Sequence, residues 1–334
     1  MMPLLKMSAA LALVLAATAP RARAQQGQMD PRTEHRRERD EARQDRADAD
    51  DDGGMSIDTT IAFATTGGVV DLTLVSGEIT VTAWTRGEAR IHVSSDDVPV
   101  RFEHSADRIL LDTRMRRHVS EDEGDVQYAL TVPVGTRVLM HSMSADLHAR
   151  GTRGEIEARS VSGDVEVDDV LRTATLETVS GNVEARNIQG DLYARTVSGD
   201  VDADRVSGQV TFSSVSGHGY ITNTTSRGVR METVSGDLSY QGSADPAGTY
   251  ELHAHSGNIQ VELPANVGAT VSLDTFSGDI HSDFPMTIQP RGSESGPTRH
   301  HIDGTLGKGG ARISVETFSG DVEFLTTGHK GDRS

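Results

Sequence analysis

Cysteine is absent from the chain, which excludes disulfides, a thiol nucleophile and a lipidated cysteine behind a leader peptide. Aromatic residues make up 4% of it, with one Trp and five Tyr, so few rings are available for stacking on sugars. Small aliphatic side chains must fill the interior. Cations are in short supply: 32 Lys and Arg face 50 Asp and Glu, a formal net charge of -18. That balance excludes nucleic acid as a partner, because phosphate binding rests on clustered Lys and Arg. Long apolar runs are missing as well. A spanning helix needs roughly 20 apolar residues, and the apolar core from Ala9 to Ala17 is too short, so no transmembrane span is expected in the mature chain.

What is present begins with a leader. Lys6 precedes the apolar core, and Ala22-Arg23-Ala24 forms a small-residue cleavage site before Gln25, the layout of a secretory signal peptide over residues 1–24. Loss of Lys6, Arg21 and Arg23 with it takes the net charge to about -21. Export is expected, to the periplasm or the medium of a bacterium, and a cell-surface position is compatible with it. Residues 25–54 mix Arg with Asp and Glu and hold hardly an apolar side chain. Such a segment buries too little surface to offset the entropy of ordering, so a disordered charged linker is expected. Residues 326–334 are expected to be a disordered tail, which leaves 55–325 as one folded domain.

That domain is governed by a repeat. Ser-Gly-Asp or a close relative starts at Ser162, Ser180, Ser198 and Ser216, 18 residues apart each time, and recurs less strictly at Ser235, Ser256, Ser277 and Ser319. A period this short means stacked structural units. Aligned on glycine, the units are nine residues long, as in Ile188-Gln189-Gly190-Asp191-Leu192-Tyr193-Ala194 and Val197-Ser198-Gly199-Asp200-Val201-Asp202-Ala203. After each glycine, apolar and polar residues alternate, the period of a strand with one buried face. Glycine followed by Asp or Asn marks a corner. Two units make a coil whose equivalent corners stack about 4.8 Å apart. The expected fold class is therefore all-β: a β-solenoid of stacked 18 to 21 residue coils with a less regular N-terminal cap, about 13 to 15 rungs in all.

The register fades at both ends. Between Thr85 and Val132 the glycine spacing is lost while alternation persists, which predicts longer antiparallel or irregular strands capping the stack. Near the other end the intervals lengthen to 21 and then 42 residues. There PMTIQPRGSESGPTRHHIDGTLGKGG reads as a long loop before the last rung, Ile313 to Phe324.

The candidate chemistry lies first in the corner column: Ser162-Gly163-Asp164, Ser180-Gly181-Asn182, Ser198-Gly199-Asp200, Ser216-Gly217-His218, Ser235-Gly236-Asp237, Ser256-Gly257-Asn258, Ser277-Gly278-Asp279 and Ser319-Gly320-Asp321. One carboxylate per coil could attract calcium, but charged and uncharged residues largely alternate down the column, as a stack avoiding repulsion would arrange them. A hydrolytic serine is singular and needs a base and an oxyanion site. A serine on every rung is expected to be a hydrogen-bonding ladder, with Thr178, Thr196, Thr233, Thr275 and Thr317 forming a second. His253 with His255, and His300 with His301, are close in sequence, yet no third metal ligand is evident nearby, and surface histidines are expected. Outward acids such as Glu166, Glu184 and Asp202 recur with the repeat, whereas a catalytic site breaks it. No catalytic residue, metal ligand set or cofactor is assigned.

Taken together, LVSGEITVTAW, ALTVPVGTRVLMHSMSADLHARGTRGEIEARSVSGDVEV, the TVSGNVEA and TVSGDVDA rungs, SGNIQVELP, TFSGDI and GKGGARISVETFSGDVEF resemble a bacterial family of β-strand-repeat proteins known as putative adhesins, a family built on a domain of unknown function. The likeness covers about Ile57 to Leu325. Ser144-Ala145-Asp146 departs from it, with Ala in place of the expected glycine, so that corner is expected to differ. The resemblance implies a β-solenoid at the cell envelope, an adhesive role, and in some members an association with envelope-stress systems. It supplies no catalytic residues. The function expected is a non-enzymatic exported scaffold that binds an envelope protein or a glycan through its outward faces or caps. The alternatives are an accessory protein contacting a membrane regulator and, third, an enzyme acting on polysaccharide.

Overall fold

Alternation of apolar and polar residues gives each strand one face to bury, and the chain satisfies that demand by winding strand upon strand. The computed structural model describes residues 55–96, 98–113, 126–288 and 300–327, and all regular structure in them is β. In chain order the strands are β1 (Met55–Ala62), β2 (Thr66–Trp84), β3 (Glu88–Ser95), β4 (Val100–His104), β5 (Arg108–Thr113), β6 (Val126–Pro133), β7 (Gly135–Arg150), β8 (Ile156–Arg159) and β9 (Val165–Val170). The regular stack continues with β10 (Ala174–Glu177), β11 (Val183–Ile188), β12 (Leu192–Arg195), β13 (Val201–Val206), β14 (Val210–Ser214), β15 (Gly219–Thr224), β16 (Gly228–Ser235), β17 (Leu238–Gly242), β18 (Thr249–Ser256) and β19 (Ile259–Leu263). Last come β20 (Ala269–Ser277), β21 (Ile280–Ser282), β22 (Thr287–Ile288), β23 (His300–Leu306), β24 (Ala311–Ser319) and β25 (Val322–Thr326). All 25 belong to one hydrogen-bonded sheet. No helix among the described residues is long and apolar enough to cross a membrane.

The strands form two parallel ladders on opposite sides of a narrow core. One runs β6-β2-β7-β9-β11-β13-β15-β17-β19-β25-β21. The other runs β5-β2-β7-β8-β10-β12-β14-β16-β18-β24-β20. Each ladder thus has eleven parallel rungs among the described residues, fewer than the 13 to 15 expected, because the remaining strands run antiparallel. In the regular region, partners are 18 residues apart: Val165 faces Val183, and Val183 faces Val201. Parallel sheets are ordinarily covered on both faces by helices. Here each coil returns as the opposite sheet, so one face of each ladder is buried and the other is solvated.

The core is one aliphatic column, with side chains such as Leu72, Ile79, Val138, Leu147, Val167, Leu176, Ala185 and Val315 fully buried. Sizes are matched across it. Gly219 takes the inward place held by Val201 below and Leu238 above, and the Phe212 ring from the opposite ladder occupies the space, so close that a β-carbon on Gly219 would lie 2.6 Å from it. Buried Tyr128, Tyr240 and Tyr250 thicken the core nearer the ends, and burial pushes the pKa of all three phenols up. The Tyr250 hydroxyl donates to the Ser226 carbonyl at 2.6 Å, and that of Tyr240 to the Ser243 carbonyl at 2.9 Å.

At both ends the order of rungs in space departs from their order in sequence. The rung β24/β25, last in the chain, lies between β18/β19 and β20/β21. It is not the terminal rung that the spacing predicts. The segment read as a long loop contains β22 and β23, and β23 lies antiparallel on the outer edge of β20. Gly307 and Gly309 then reverse the chain at φ of 55° and 73°, so that β24 can pair with the inner edge of β20. The N-terminal end repeats the device, since β2 lies between the β5/β6 rung and β7. Outside it β3 and β4 run antiparallel to β6 and β5, and β1 antiparallel to β3. Antiparallel caps are thus present where the glycine spacing is lost, while β5 and β6 themselves are full parallel rungs. The described chain reaches Thr327, whose amide donates to the Leu263 carbonyl at 2.8 Å, two residues into the expected tail. The expected signal peptide, the linker and the tail from residue 328 lie outside the described residues.

Candidate binding surface

Each coil turns at two unlike corners, and the difference between them creates the most distinctive surface of the molecule. At the first corner, Thr178-Val179-Ser180-Gly181-Asn182 and its equivalents, glycine is set by crowding: a β-carbon on Gly199 would lie 1.7 Å from the Gly181 carbonyl oxygen. The buried Thr or Ser three residues earlier accepts the glycine N–H, as Thr196 Oγ1 does from Gly199 at 2.9 Å and Ser214 Oγ from Gly217 at 2.8 Å. Thr178, Thr233 and Thr317 also donate to the carbonyl of a neighbouring rung's glycine. The ladder at this corner is therefore carried by the threonine column. The Ser side chains at Ser162, Ser180, Ser198 and Ser216 face solvent, where the expectation had them as rungs of the ladder.

The residue after each glycine has a job in backbone chemistry. Its side chain accepts the amide N–H of the equivalent residue one rung on, in an unbroken series from Asp146 through Asp164, Asn182, Asp200, His218, Asp237, Asn258 and Asp321 to Asp279, at 2.7 to 3.1 Å. Asp, Asn and a neutral His all supply an acceptor, which is why the three interchange. The alternation of charge is incomplete in spatial order as it is in sequence, because Asp146 is followed by Asp164 and Asp321 by Asp279. At Ser144-Ala145-Asp146 the strand β7 runs through the corner, and the Ala145 side chain is fully buried.

The second corner is built on left-handed backbone at residues other than glycine. Asp169, Asn187, Arg205 and Asn223 have φ of 53° to 57°, a conformation in which a short polar side chain can bond locally. Asn187 Nδ2 donates to Asp168 Oδ1 and Asn223 Nδ2 to Asp204 Oδ1, both at 2.7 Å. That kink sets two successive residues outward and returns Val170, Ile188 and Val206 to the core, where none has measurable exposure. At the first corner the apolar residue in the same place before glycine points out instead. Val161, Val179, Val197, Val215 and Val234 are 41 to 51% exposed, Met143 is 54% and Phe318 and Phe276 are 50% and 44%. With half-exposed Val75 at one end and His255 beside Phe318, these residues form one apolar column over ten successive rungs. It ends in a stack of parallel rings. His255 and Phe276 flank Phe318 at centroid distances of 5.1 and 4.8 Å, with interplanar angles of 8° and 4°.

Other candidates are dispersed. His253 and His255 do not converge: His253 Nδ1 faces Glu316 at 3.6 Å while His255 stacks on Phe318. His300 and His301 lie on β23 and not in a loop. His300 Nδ1 is 2.8 Å from the Gly278 carbonyl. His301 bridges two carboxylates, with Nδ1 2.8 Å from Asp274 and Nε2 3.0 Å from Asp303, the latter an ion contact without hydrogen-bond alignment. Burial lowers the His301 pKa, but the Asp303 and Asp274 carboxylates raise it further and hold it above its ordinary 6.5. The outward acids Glu166, Glu184 and Asp202 do neighbour one another in register. Arg186 spans Glu166 and Glu184, and a shallow depression beside them is lined by the His148–Glu166 and Arg150–Asp168 ion pairs, both at 3.3 Å. Among the described residues no group of three or more His, Asp or Glu is arranged to hold a metal ion.

The repeated corners and paired ladders define an all-β protein of solenoid-like construction. Residues 118–324 match the model of the Toastrack DUF4097 family, and the chain belongs to that family. No curated protein matches it. Among solved structures it is similar to a putative lipid binding protein from Parabacteroides distasonis, with 11% identity and a TM-score of 0.46 over 82% of this chain and 97% of that one. It is also similar to a putative adhesin from Bacteroides fragilis, with 11% identity and a TM-score of 0.40 over 80% and 96%. A third is a putative cell adhesion protein from Clostridium sporogenes, with 10% identity and a TM-score of 0.23 over 82% and 100%.

The sequence pattern missed the outward column because it equates the two corners. Val197 and Val206 both stand two residues before a glycine. The signal that separates them is the Thr or Ser immediately before the exposed residue, as at Thr196-Val197, against Asp, Asn or Arg before the buried one, as at Arg205-Val206.

Proposed function

We propose that this chain is an exported, non-enzymatic β-solenoid, with coils of 18 to 21 residues, that binds a partner at the cell envelope through the apolar column of its first corner. The observation that supports this reading is the repetition of exposure. The fold needs an apolar residue before the second corner, where it is buried, yet it places one in solvent before the first corner on rung after rung. Contiguous exposed apolar surface of this kind marks interaction sites. The threonine and acceptor ladders would serve to hold the column straight, with the Ser-Gly-Asp residues as structural corners and no catalytic part.

The test uses the chain from Gln25 onward, immobilised, with an envelope extract passed over it. The wild type is expected to retain a defined component that the triple variant Val179→Ser, Val197→Ser, Val215→Ser does not. Equal capture by both proteins, with the variant folded by circular dichroism, would remove the column from the function.

A further inference from the structure

The column is bordered by charge of one sign. On its glycine side run Asp146, Asp164, Asp200, Asp237, Asp321 and Asp279, with Asn182, His218 and Asn258 between them and no Lys or Arg at any rung. One oxygen of each carboxylate from Asp146 to Asp321 is held by the next rung's amide, while Asp279, on the last rung, is exposed. Two imidazoles lie near this border, with His218 Nδ1 3.6 Å from Asp237 and His300 Nδ1 3.9 Å from Asp279. The opposite border mixes Arg159 and Arg195 with Glu177, Glu232, Glu316 and Asp274. An apolar stripe with carboxylates along it is complementary to an apolar stripe with cations along it.

Resting on the binding reading above, we propose that the partner segment is a basic amphipathic helix laid along the column, its apolar stripe on the valines and its Lys or Arg reaching the corner carboxylates. The spacing suits a helix. An amphipathic helix presents its apolar face once per 5.4 Å turn, against about 4.8 Å per rung, so the two repeats stay within half a rung over roughly four turns. A second copy of this chain fits poorly, because it would bring both acidic columns into one interface at a net charge of -18 each. An anionic membrane surface is repelled for the same reason. Valine offers no ring for a sugar to stack on, and the rings are confined to one end of the column.

The probe is a fluorescent 18-residue peptide with Leu on one helical face and Lys on the other, titrated with the chain from Gln25 onward. Three comparisons accompany it: oligolysine of equal charge, the same peptide with Glu for Lys, and two variants of the protein. One variant is Val179→Ser, Val197→Ser, Val215→Ser. The other is Asp164→Asn, Asp200→Asn, Asp237→Asn, in which the corner acceptor is kept, as it is naturally at Asn182 and Asn258. Expected are binding of the Leu/Lys peptide alone, at least a tenfold loss in the valine variant, and a severalfold loss with a flatter salt dependence in the aspartate variant. Equal binding of oligolysine, or an unchanged affinity in the valine variant, overturns the proposal. So does a valine-dependent dimer in sedimentation, which would make the occupant a second copy. If the peptide fails while the valine variant still loses its envelope component, the partner's chemistry is wrong and the binding column stands.

Discussion

Gly199 has no room for a β-carbon, since the Gly181 carbonyl oxygen would lie 1.7 Å away. Gly199→Ala must push a backbone out of the stack and is expected to cost about 3 kcal/mol or more, read as a lower urea midpoint. Two valines of the same repeat should part company. Val206 is buried and Val197 is 41% exposed, so Val206→Ala is expected to lose about 2 kcal/mol and Val197→Ala no more than about 0.5 kcal/mol. Similar losses at both would show that the column is packed and not presented. At this scale the corner glycines and their acidic followers were legible, because crowding and acceptor chemistry leave few residue types. The left-handed positions were not legible. Asn187 and Asn223 are ordinary for that backbone, but Arg205 in the same column gives no sign of it.

The elements at the C-terminal end carry a clasp and an insertion. His301 on β23 sits between Asp274 on β20 and Asp303 on its own strand, so the cationic imidazole joins cap strand to rung. Its pKa is raised in the folded chain. The stabilisation is therefore fully present below about pH 6.5, the ordinary value, and is lost as pH rises through the raised one. Melting of the wild type between pH 6 and 8.5 should accordingly fall more steeply than that of His301→Gln, and a pH-independent difference between them would remove the clasp. The insertion of β24 between β18 and β20 predicts a reversal of the usual fraying of chain ends. Amides of β24 should exchange hydrogen as slowly as those of β18 and more slowly than those of β21, although β24 comes later in the chain. Rapid exchange of β24 would contradict the order of rungs. Strand existence was readable here from alternation; partner choice was not, since Ile313 to Phe324 has the same pattern whether it ends the stack or enters it.

On the scale of the whole molecule the stack behaves as a quasi-one-dimensional object, in which each rung depends on its two neighbours. Deleting residues 182–199 joins Gly181 to Asp200 and lets Val165 face Val201 in the register it had with Val183. That protein is expected to fold cooperatively with a modestly lower Tm. Deleting only residues 182–190 would set one corner type on the other and present Val197 where the core requires Ile188. It is expected to be unfolded or to melt many degrees lower, by circular dichroism and calorimetry. Equal stability of the two deletions would show that the nine-residue unit, and not the pair of units, is the structural period.

By itself the sequence determined the all-β class, the corners and the alternation of buried and solvated side chains, because each follows from backbone geometry acting within a few residues. The period of the repeat also tied distant segments together, since strands can stack in register only when their corners do. Tertiary structure decided the rest. The sense in which each corner bends determines whether the valine before its glycine is buried or exposed. The edges left open at the two ends of the stack determine where the returning strands insert. Both outcomes depend on which neighbour a segment meets, and local pattern carries no record of that neighbour.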